Sequence, residues 1–357
     1  MGKENNKICI VGPSLKMGGM ERASANLANS IHKIGNDVTY LSFFNQEKFF
    51  RLEDGVKFIE PVDFNITSLS IFKSLKWIRR KINVIQPDRI IVFNKFYSAL
   101  VLLALIGTNS KVFISERSSP LFKWNFKHEA INRLIFWMIK PYGIIAQTSI
   151  AADYQKKYYG KNIPIGIVPN ALRPIKNFPE IQREKIVLAV GRLRDPLKGF
   201  DRLIEAFSKI ESSDWKLVFA GGDENGFDLK NQAKELGILD KIEFLGQVKD
   251  LDPVYAKASI FVIPSRSEGF PNALCEAMGA GLPCIAFDFI AGPRDIINHG
   301  HDGIIVEDGN IDKLAIAIDK MIEDKNARDN FGKNAEAIQS RLSAEIIGKK
   351  MMDFVLS

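Results

Sequence analysis

Two carboxylates, Glu268 and Glu276, bracket a glycine-containing loop in the segment Ser265-Arg266-Ser267-Glu268-Gly269-Phe270-Pro271-Asn272-Ala273-Leu274-Cys275-Glu276. Carboxylates are good acceptors for hydroxyl groups. The loop follows the apolar run Ile260-Phe261-Val262-Ile263-Pro264, which reads as a buried strand. It opens a helix over 273–280 that Gly279 and Gly281 stop. Pro271 suits the first helical position, where its missing N–H costs nothing. Free amides and the positive dipole end at that N-terminus favour an anion such as phosphate. Asn272 and Glu276 are four apart and share one helical face. Amides for a phosphate beside carboxylates for hydroxyls would suit a nucleotide sugar. By spacing alone, solvated side chains are the commoner reading of two such glutamates. Their place at the carboxyl end of a predicted parallel strand, where open α/β sheets bind ligands, favours a site.

Other loops carry chemistry of the same kind. Gly191-Arg192-Leu193-Arg194-Asp195-Pro196-Leu197-Lys198-Gly199-Phe200 follows a predicted strand and sets two cations, Arg192 and Lys198, on one loop. Such a pair neutralises a diphosphate leaving group, unless both are ordinary surface cations. Gly18-Gly19-Met20-Glu21 follows the first strand and opens a helix, so backbone amides are open to a phosphate or sugar, or the pair is a plain turn. Neither the dinucleotide fingerprint nor a P-loop is present. Ser115-Glu116-Arg117-Ser118-Ser119-Pro120 ends another strand with polar groups suited to an acceptor. Asp250-Leu251-Asp252 fits a D-x-D metal pattern, but its place before a short helix reads as a cap, so no metal site is expected.

The Glu-x7-Glu segment with Gly-Phe-Pro inside it resembles the signature of the retaining glycosyltransferases of family four, of bacterial surface-polysaccharide type. The resemblance implies the GT-B fold: two Rossmann-like, doubly wound α/β domains facing a cleft. It implies that Glu268 holds donor-sugar hydroxyls, that Gly269, Phe270 and Asn272 meet the distal phosphate or sugar, and that Glu276 holds the ribose. Arg192 and Lys198 become leaving-group stabilisers, and Gly18 and Gly19 face the donor diphosphate. The loop Ala291-Gly292-Pro293-Arg294-Asp295-Ile296-Ile297 resembles one in bacterial members that use UDP-hexoses. Many members carry a first-domain cleft histidine. None of His32, His128, His299 and His301 ends a predicted first-domain strand, a departure from that pattern on the acceptor side, where Glu116 and Arg117 of the loop after the 111–115 strand are the candidates. The implied activity is metal-independent, retaining transfer of a hexose or N-acetylhexosamine from a UDP-sugar to a lipid-diphosphate-linked glycan. No cofactor is expected. An epimerase or phosphorylase on the same scaffold would keep the donor site, whereas a nucleic-acid-binding protein would explain the charge but not Glu-Gly-Phe-Pro.

These loops need strands to hold them. Apolar runs predict strands at 7–11, 37–43, 89–93, 111–115, 143–147 and 165–168, with helices at 19–34, 70–85, 97–105, 129–139 and 150–158. The alternation is that of a parallel sheet. Residues 169–179, with three prolines and no periodicity, read as a linker. The pattern restarts with strands at 186–190, 216–220, 241–245, 259–263, 283–286 and 303–306. The expected organisation is an acceptor-side domain over 1–170, a linker over 171–180, a nucleotide-sugar domain over 181–335, and a final helix over 336–357 that returns to the first domain.

The chain has 357 residues, 46% hydrophobic and 25% charged, as in a soluble two-domain protein. Cys9, Cys275 and Cys284 read as buried thiols of a reducing compartment. The polar start Met1-Gly2-Lys3-Glu4-Asn5-Asn6 does not read as a secretory signal, so a cytoplasmic setting is expected. Charge is unevenly placed: 26 Lys and Arg against 12 Asp and Glu over 1–178, and 23 against 30 over 179–357. A basic first half implies an anionic partner, nucleic acid or an anionic membrane surface. Phe72, Leu75, Ile78 and Ile82 recur at helical spacing with basic residues elsewhere, which favours the membrane and a peripheral location. Phe122, Trp124, Phe126, Trp137 and Lys140 add interfacial residue types. A core-facing helix with a solvated basic face fits residues 71–82 equally well.

Overall fold

The computed structural model describes residues 5–64, 70–122, 125–212, 214–222, 227–290 and 292–357. Met1–Glu4, Trp124 and Ala291, which entered the sequence reading, lie outside the described residues. The chain forms two compact units, Met1–Ala171 with Leu342–Ser357, and Leu172–Arg341.

Unit 1 alternates β1 (Lys7–Gly12), α1 (Gly19–Lys33), β2 (Asp37–Ser42), β3 (Lys57–Ile59), α2 (Ile71–Ile85), β4 (Arg89–Phe93), α3 (Lys95–Ala104), β5 (Val112–Ser115), α4 (Phe126–Met138), β6 (Gly143–Ala146), α5 (Ser149–Tyr159) and β7 (Ile165–Ile167). All pairings are parallel, in the order β3-β2-β1-β4-β5-β6-β7. The central strands are buried almost throughout, because helices cover both faces of such a sheet; hence their continuous apolar runs. Strand β3 has no sequence signal of its own. It is three residues long, one exposed and two half-buried, at the sheet edge and too short for any periodicity.

Helix α2 turns Ser74, Ile78 and Ile82 inward, with Ile71 and Leu75 packed on the same core. Phe72 is exposed, against the expected stripe. It lies about 100° round the helix from Ile71, which takes the inward position.

Unit 2 alternates β8 (Ile186–Val190), α6 (Phe200–Phe207), β9 (Lys216–Ala220), α7 (Phe227–Glu235), β10 (Ile242–Phe244), α8 (Asp252–Lys257), β11 (Ile260–Ile263), α9 (Asn272–Gly279), β12 (Cys284–Phe287), β13 (Ile304–Val306), α10 (Ile311–Glu323), α11 (Lys325–Ala335) and α12 (Ile338–Arg341). Its parallel order is β10-β9-β8-β11-β12-β13. Cys9, Cys275 and Cys284 are free and buried, and burial pushes the Cys9 thiol up to about 12.

The last helix, α13 (Ala344–Leu356), belongs to unit 1 and packs on α1. Its approach depends on small residues. Gly348 sits against the Ser30 carbonyl, and Phe354 lies over Gly143 and Gly166, edge-on to Phe113. Arg89 donates to the Val355 carbonyl. A Cβ on Gly166 would lie 2.5 Å from the Phe354 ring. Gly166→Ala is therefore expected to destabilise unit 1 by about 1–3 kcal/mol in denaturant unfolding, the usual cost of overpacking. Adding Phe354→Ala should recover part of that loss, so that the double variant costs less than the two singles summed. Strict additivity would show that the ring does not rest on Gly166.

Candidate functional site

The strand order of unit 2 sets the geometry. From β8 the sheet grows outward through β9 to β10; the chain then returns to place β11 on the other side of β8, with Ile260 opposite Val187 and Phe261 opposite Leu188. Loops leaving the carboxyl ends of β8 and β11 are thereby neighbours at a topological switch point, where ligands bind in open α/β sheets.

The β8 loop is shaped by local chemistry. Asp195 accepts from the Leu197 amide at 3.1 Å and caps a 3₁₀ turn, Pro196–Lys198. Gly199 then turns the chain into α6 at φ +67, in the left-handed region. A Cβ there would collide with the Pro264 carbonyl oxygen of the β11 loop. The two loops are also stitched by the Arg266 amide to the Leu197 carbonyl at 2.7 Å. The Arg266 guanidinium forks onto Asp201 at 2.7 and 2.5 Å, and that hydrogen bond holds the Asp201 carboxyl below its ordinary range.

This brings Lys198 and Glu268 together. Lys198 Nζ lies 2.8 and 3.0 Å from the two Glu268 oxygens, and Ser265 Oγ donates to Oε1 at 2.7 Å. Both side chains are mostly covered yet retain solvent access. Arg192, on the same loop, is largely exposed and reaches Asp195 at 2.7 Å. It does not join the Lys198–Glu268 pair.

Helix α9 differs from expectation at its start. Pro271 is the residue before the helix, at ψ 72, rather than its first member. The Asn272 amide donates to the Phe270 carbonyl at 2.9 Å, and the Leu274 and Cys275 amides both reach the Pro271 carbonyl. The anion cradle expected at Asn272 is thus engaged within the loop itself. Phe270 is buried, while Gly269 and Asn272 are half-buried.

Glu276 is held elsewhere. It is buried, accepting from Arg173 at 3.3 Å and the Tyr255 hydroxyl at 3.4 Å. Arg173 also pairs with the buried Asp252 at 2.5 Å. Burial alone would lower Arg173, but the Asp252 hydrogen bond and the charges of Glu276 and Asp252 outweigh it, so the guanidinium is held above its ordinary range. Asp252 further accepts from the Lys176 amide at 3.0 Å, while Asp250 accepts from the Asp252 amide at 3.1 Å. The D-x-D carboxylates are thereby tied into the start of α8. Arg294 forks onto Asp288. Arg173 and Tyr255 carried no motif, and Ser265 and Arg266 stood in the Glu268 segment without a role assigned to them.

In unit 1, Gly18 precedes α1 in an extended conformation, and a Cβ there would collide with the buried Glu21 carboxylate. A Cβ on Gly19 would point into open space, so that side of the loop is approachable. Glu116 is buried: Oε1 accepts from the Ser118 amide at 3.0 Å, and Oε2 has no partner among the described residues. Arg117 is engaged within the unit. It donates to Ser115 Oγ and Asn170 Oδ1, both at 2.7 Å, and lies over the Phe93 ring. Burial pulls its pKa down to about 9, still cationic at neutral pH. These contacts join the end of β5 to the segment after β7.

Residues 173–338 match the family described as Glycosyl transferases group 1. The chain is 28% identical over 350 residues, 92% of each chain, to an N-acetyl-D-galactosaminyltransferase of Campylobacter jejuni whose name gives a diphospho-undecaprenol-linked glycan. It is 25% identical to the amylovoran biosynthesis glycosyltransferase of Erwinia amylovora, over 95% of this chain and 96% of that one. Among solved structures, Anabaena HepE in complex with UDP and glucose superposes with a TM-score of 0.80 at 17% identity, covering 98% of each chain. WaaG, a glycosyltransferase involved in lipopolysaccharide biosynthesis, gives 0.73 at 18%, covering 98% of this chain and 99% of that one. These likenesses show the fold to be GT-B, with two parallel-sheet α/β units.

Two outcomes follow from the geometry. Arg173→Met strands two buried carboxylates and should cost about 3 kcal/mol in denaturant unfolding. A change within error would mean that Glu276 and Asp252 are satisfied without it. Gly199→Ala combines a strained φ with the Pro264 collision and should cost about 2 kcal/mol or more. A substitution without effect there would show that the two loops are not seated on each other.

Proposed function

We propose, on the premise that residues 173–338 belong to the group 1 glycosyl transferases, that the chain is a retaining, metal-independent hexosyltransferase of bacterial surface-polysaccharide synthesis. Its donor is a UDP-hexose or UDP-N-acetylhexosamine, and its acceptor a lipid-diphosphate-linked glycan. The observation that carries this reading is the Lys198–Glu268 pair at the switch point of unit 2. Before donor binds, each group satisfies the other. A nucleotide sugar offers each a better-matched partner: diphosphate for Lys198 and sugar hydroxyls for Glu268.

The step breaks the bond between the anomeric carbon and the β-phosphate oxygen. Positive charge develops on the sugar and negative charge on the departing UDP. Lys198 neutralises that UDP charge at close range, where a preformed partner is worth most. Arg192, exposed on the same loop, adds a second cation. The acceptor hydroxyl attacks the face the phosphate leaves, and its proton passes to the departing phosphate oxygen, so configuration is retained. Glu276, fixed by Arg173 and Tyr255, receives the ribose hydroxyls. Gly269, Phe270 and Asn272 shape the sugar pocket around Glu268. The approachable side of Gly18-Gly19 serves the diphosphate, and Glu116, with its unsatisfied oxygen, is the acceptor-side group of unit 1. The proposed steps call for no metal, and the D-x-D carboxylates Asp250 and Asp252 pair instead with Lys176 and Arg173.

Supporting the substrates are the diphospho-undecaprenol acceptor in the name of the Campylobacter relative and the UDP and glucose in the Anabaena structure. Such an acceptor sets the reaction at an anionic membrane surface on the cytoplasmic side, where a chain with no helix long and apolar enough to span, among the described residues, would work from the surface.

UDP-sugars screened for protection against thermal unfolding test the donor, because a ligand of the folded state raises its stability. UDP and one UDP-hexose are expected to protect. Glu268→Ala and Lys198→Ala should each lower transfer to a lipid-linked acceptor by about 10²–10³-fold, with circular dichroism unchanged. Wild-type transfer rates in both would refute the site.

A further inference from the structure

Helix α4 carries two apolar faces. Asn132, Ile135 and Phe136 turn inward onto the core of unit 1. On the other side Phe126, Ile131, Leu134, Trp137 and Met138 are exposed, Phe126 at 85% and Trp137 at 75%. At 100° per residue these five span an arc of about 140°, opposite the buried stripe. A helix covered on one side only is normally polar on the other, so a contiguous outward apolar face calls for an occupant.

The surroundings indicate which one. Phe122, just before the helix, is exposed as well. Lys127 lies within the arc and Lys140 follows the helix end, both exposed. Helices α2, α3 and α4 pack side by side over one core, α3 between the other two. The exposed residues of α2 are Phe72, Lys73, Lys76, Arg79, Arg80, Asn83 and Val84. Large apolar and aromatic side chains interspersed with cations are the composition of a helix lying in a bilayer interface. The excess of 26 cationic over 12 anionic side chains in residues 1–178 has the sign an anionic bilayer selects.

We infer that the outward face of α4, flanked by the cations of α2, is the surface by which the protein docks on an anionic lipid bilayer. The apolar face lies in the headgroup–acyl boundary, and the lysines meet lipid phosphates. The contact therefore centres on α4, with α2 contributing charge and Phe72 rather than the apolar stripe expected of it. This deepens the proposed function and rests on it only for the purpose of docking: bringing unit 1 to an acceptor that stays in the membrane.

The test sediments the full-length protein with vesicles of phosphatidylcholine alone and of phosphatidylcholine with phosphatidylglycerol. Wild type is expected to partition onto the anionic vesicles, less so at high salt. The Leu134→Ser/Trp137→Ser variant should partition at least about tenfold more weakly, two large apolar side chains having left the interface. Lys127→Ala/Lys140→Ala should remove part of the salt dependence. Wild type left in the supernatant, or a serine variant that binds as wild type does, overturns the inference. So does a dimer seen by light scattering without vesicles that the serine variant dissolves, since a second copy would then cover the face. UDP-sugar protection is measured on the same samples. Lost vesicle binding with protection intact in the serine variant supports the docking surface. A wild type that binds vesicles but gains no protection sinks the transferase reading and leaves the surface standing.

Discussion

The position of β11 beside β8 is the constraint on which the candidate site depends. A parallel sheet that grows first one way and then the other must leave two loops side by side at its centre. One loop brings a lysine and the other a glutamate, although 70 residues separate them in sequence. Backbone contact fixes the loops before the side chains meet: Gly199 beneath Pro264, and the Arg266 amide on the Leu197 carbonyl. The Arg266–Asp201 fork then ties the β11 loop to the first turn of α6. The charged pair is thus the consequence of a rigid frame and not its cause.

The two glutamates of the opening motif have different physical situations. Glu268 faces a single lysine and a serine hydroxyl, with some solvent access, so its partners can exchange at modest cost. Glu276 is buried among Arg173, Tyr255 and, through Arg173, Asp252. A buried carboxylate with a shared guanidinium is not free to move, because leaving either charge unpaired is expensive. One carboxylate is therefore suited to adjust to a ligand and the other to present a fixed acceptor. Sequence spacing treats the two as equivalent.

Strands were the most legible part of the chain. Each central strand is buried on both faces, so its apolar run announces it without ambiguity, and Ile186–Val190 or Arg89–Phe93 could be read to the residue. Strand β3 was not legible, because three edge residues, one exposed and two half-buried, carry no pattern. At Pro271 the local rule favoured the first helical position, and the backbone instead uses the proline one residue earlier, with Phe270 folding back on Asn272. Lys198 and Glu268 could be nominated separately from loop chemistry. Their pairing could not, since it depends on strand order. Arg173 was invisible for the same reason: its partners lie 79 and 103 residues away and share no motif with it.

Unit 1 shows why polar loop residues are weak indicators of a site. Glu116 and Arg117 are adjacent and end the same strand, yet the fold uses them differently. The Arg117 donors go to Ser115 and Asn170, and its guanidinium carbon lies over the Phe93 ring, so it joins β5 to the chain leaving β7. A ligand for Arg117 would have to compete with these contacts. Glu116 keeps a buried oxygen without a partner among the described residues. Its charge also acts at a distance: after burial itself, it is the next cause raising the Tyr159 hydroxyl above its ordinary range. Buried polar atoms are nearly always satisfied in folded proteins, so an orphaned carboxylate oxygen is the more informative sign of an unmet partner. Of these two neighbouring charges, the fold satisfies Arg117 and leaves one oxygen of Glu116 without a partner among the described residues.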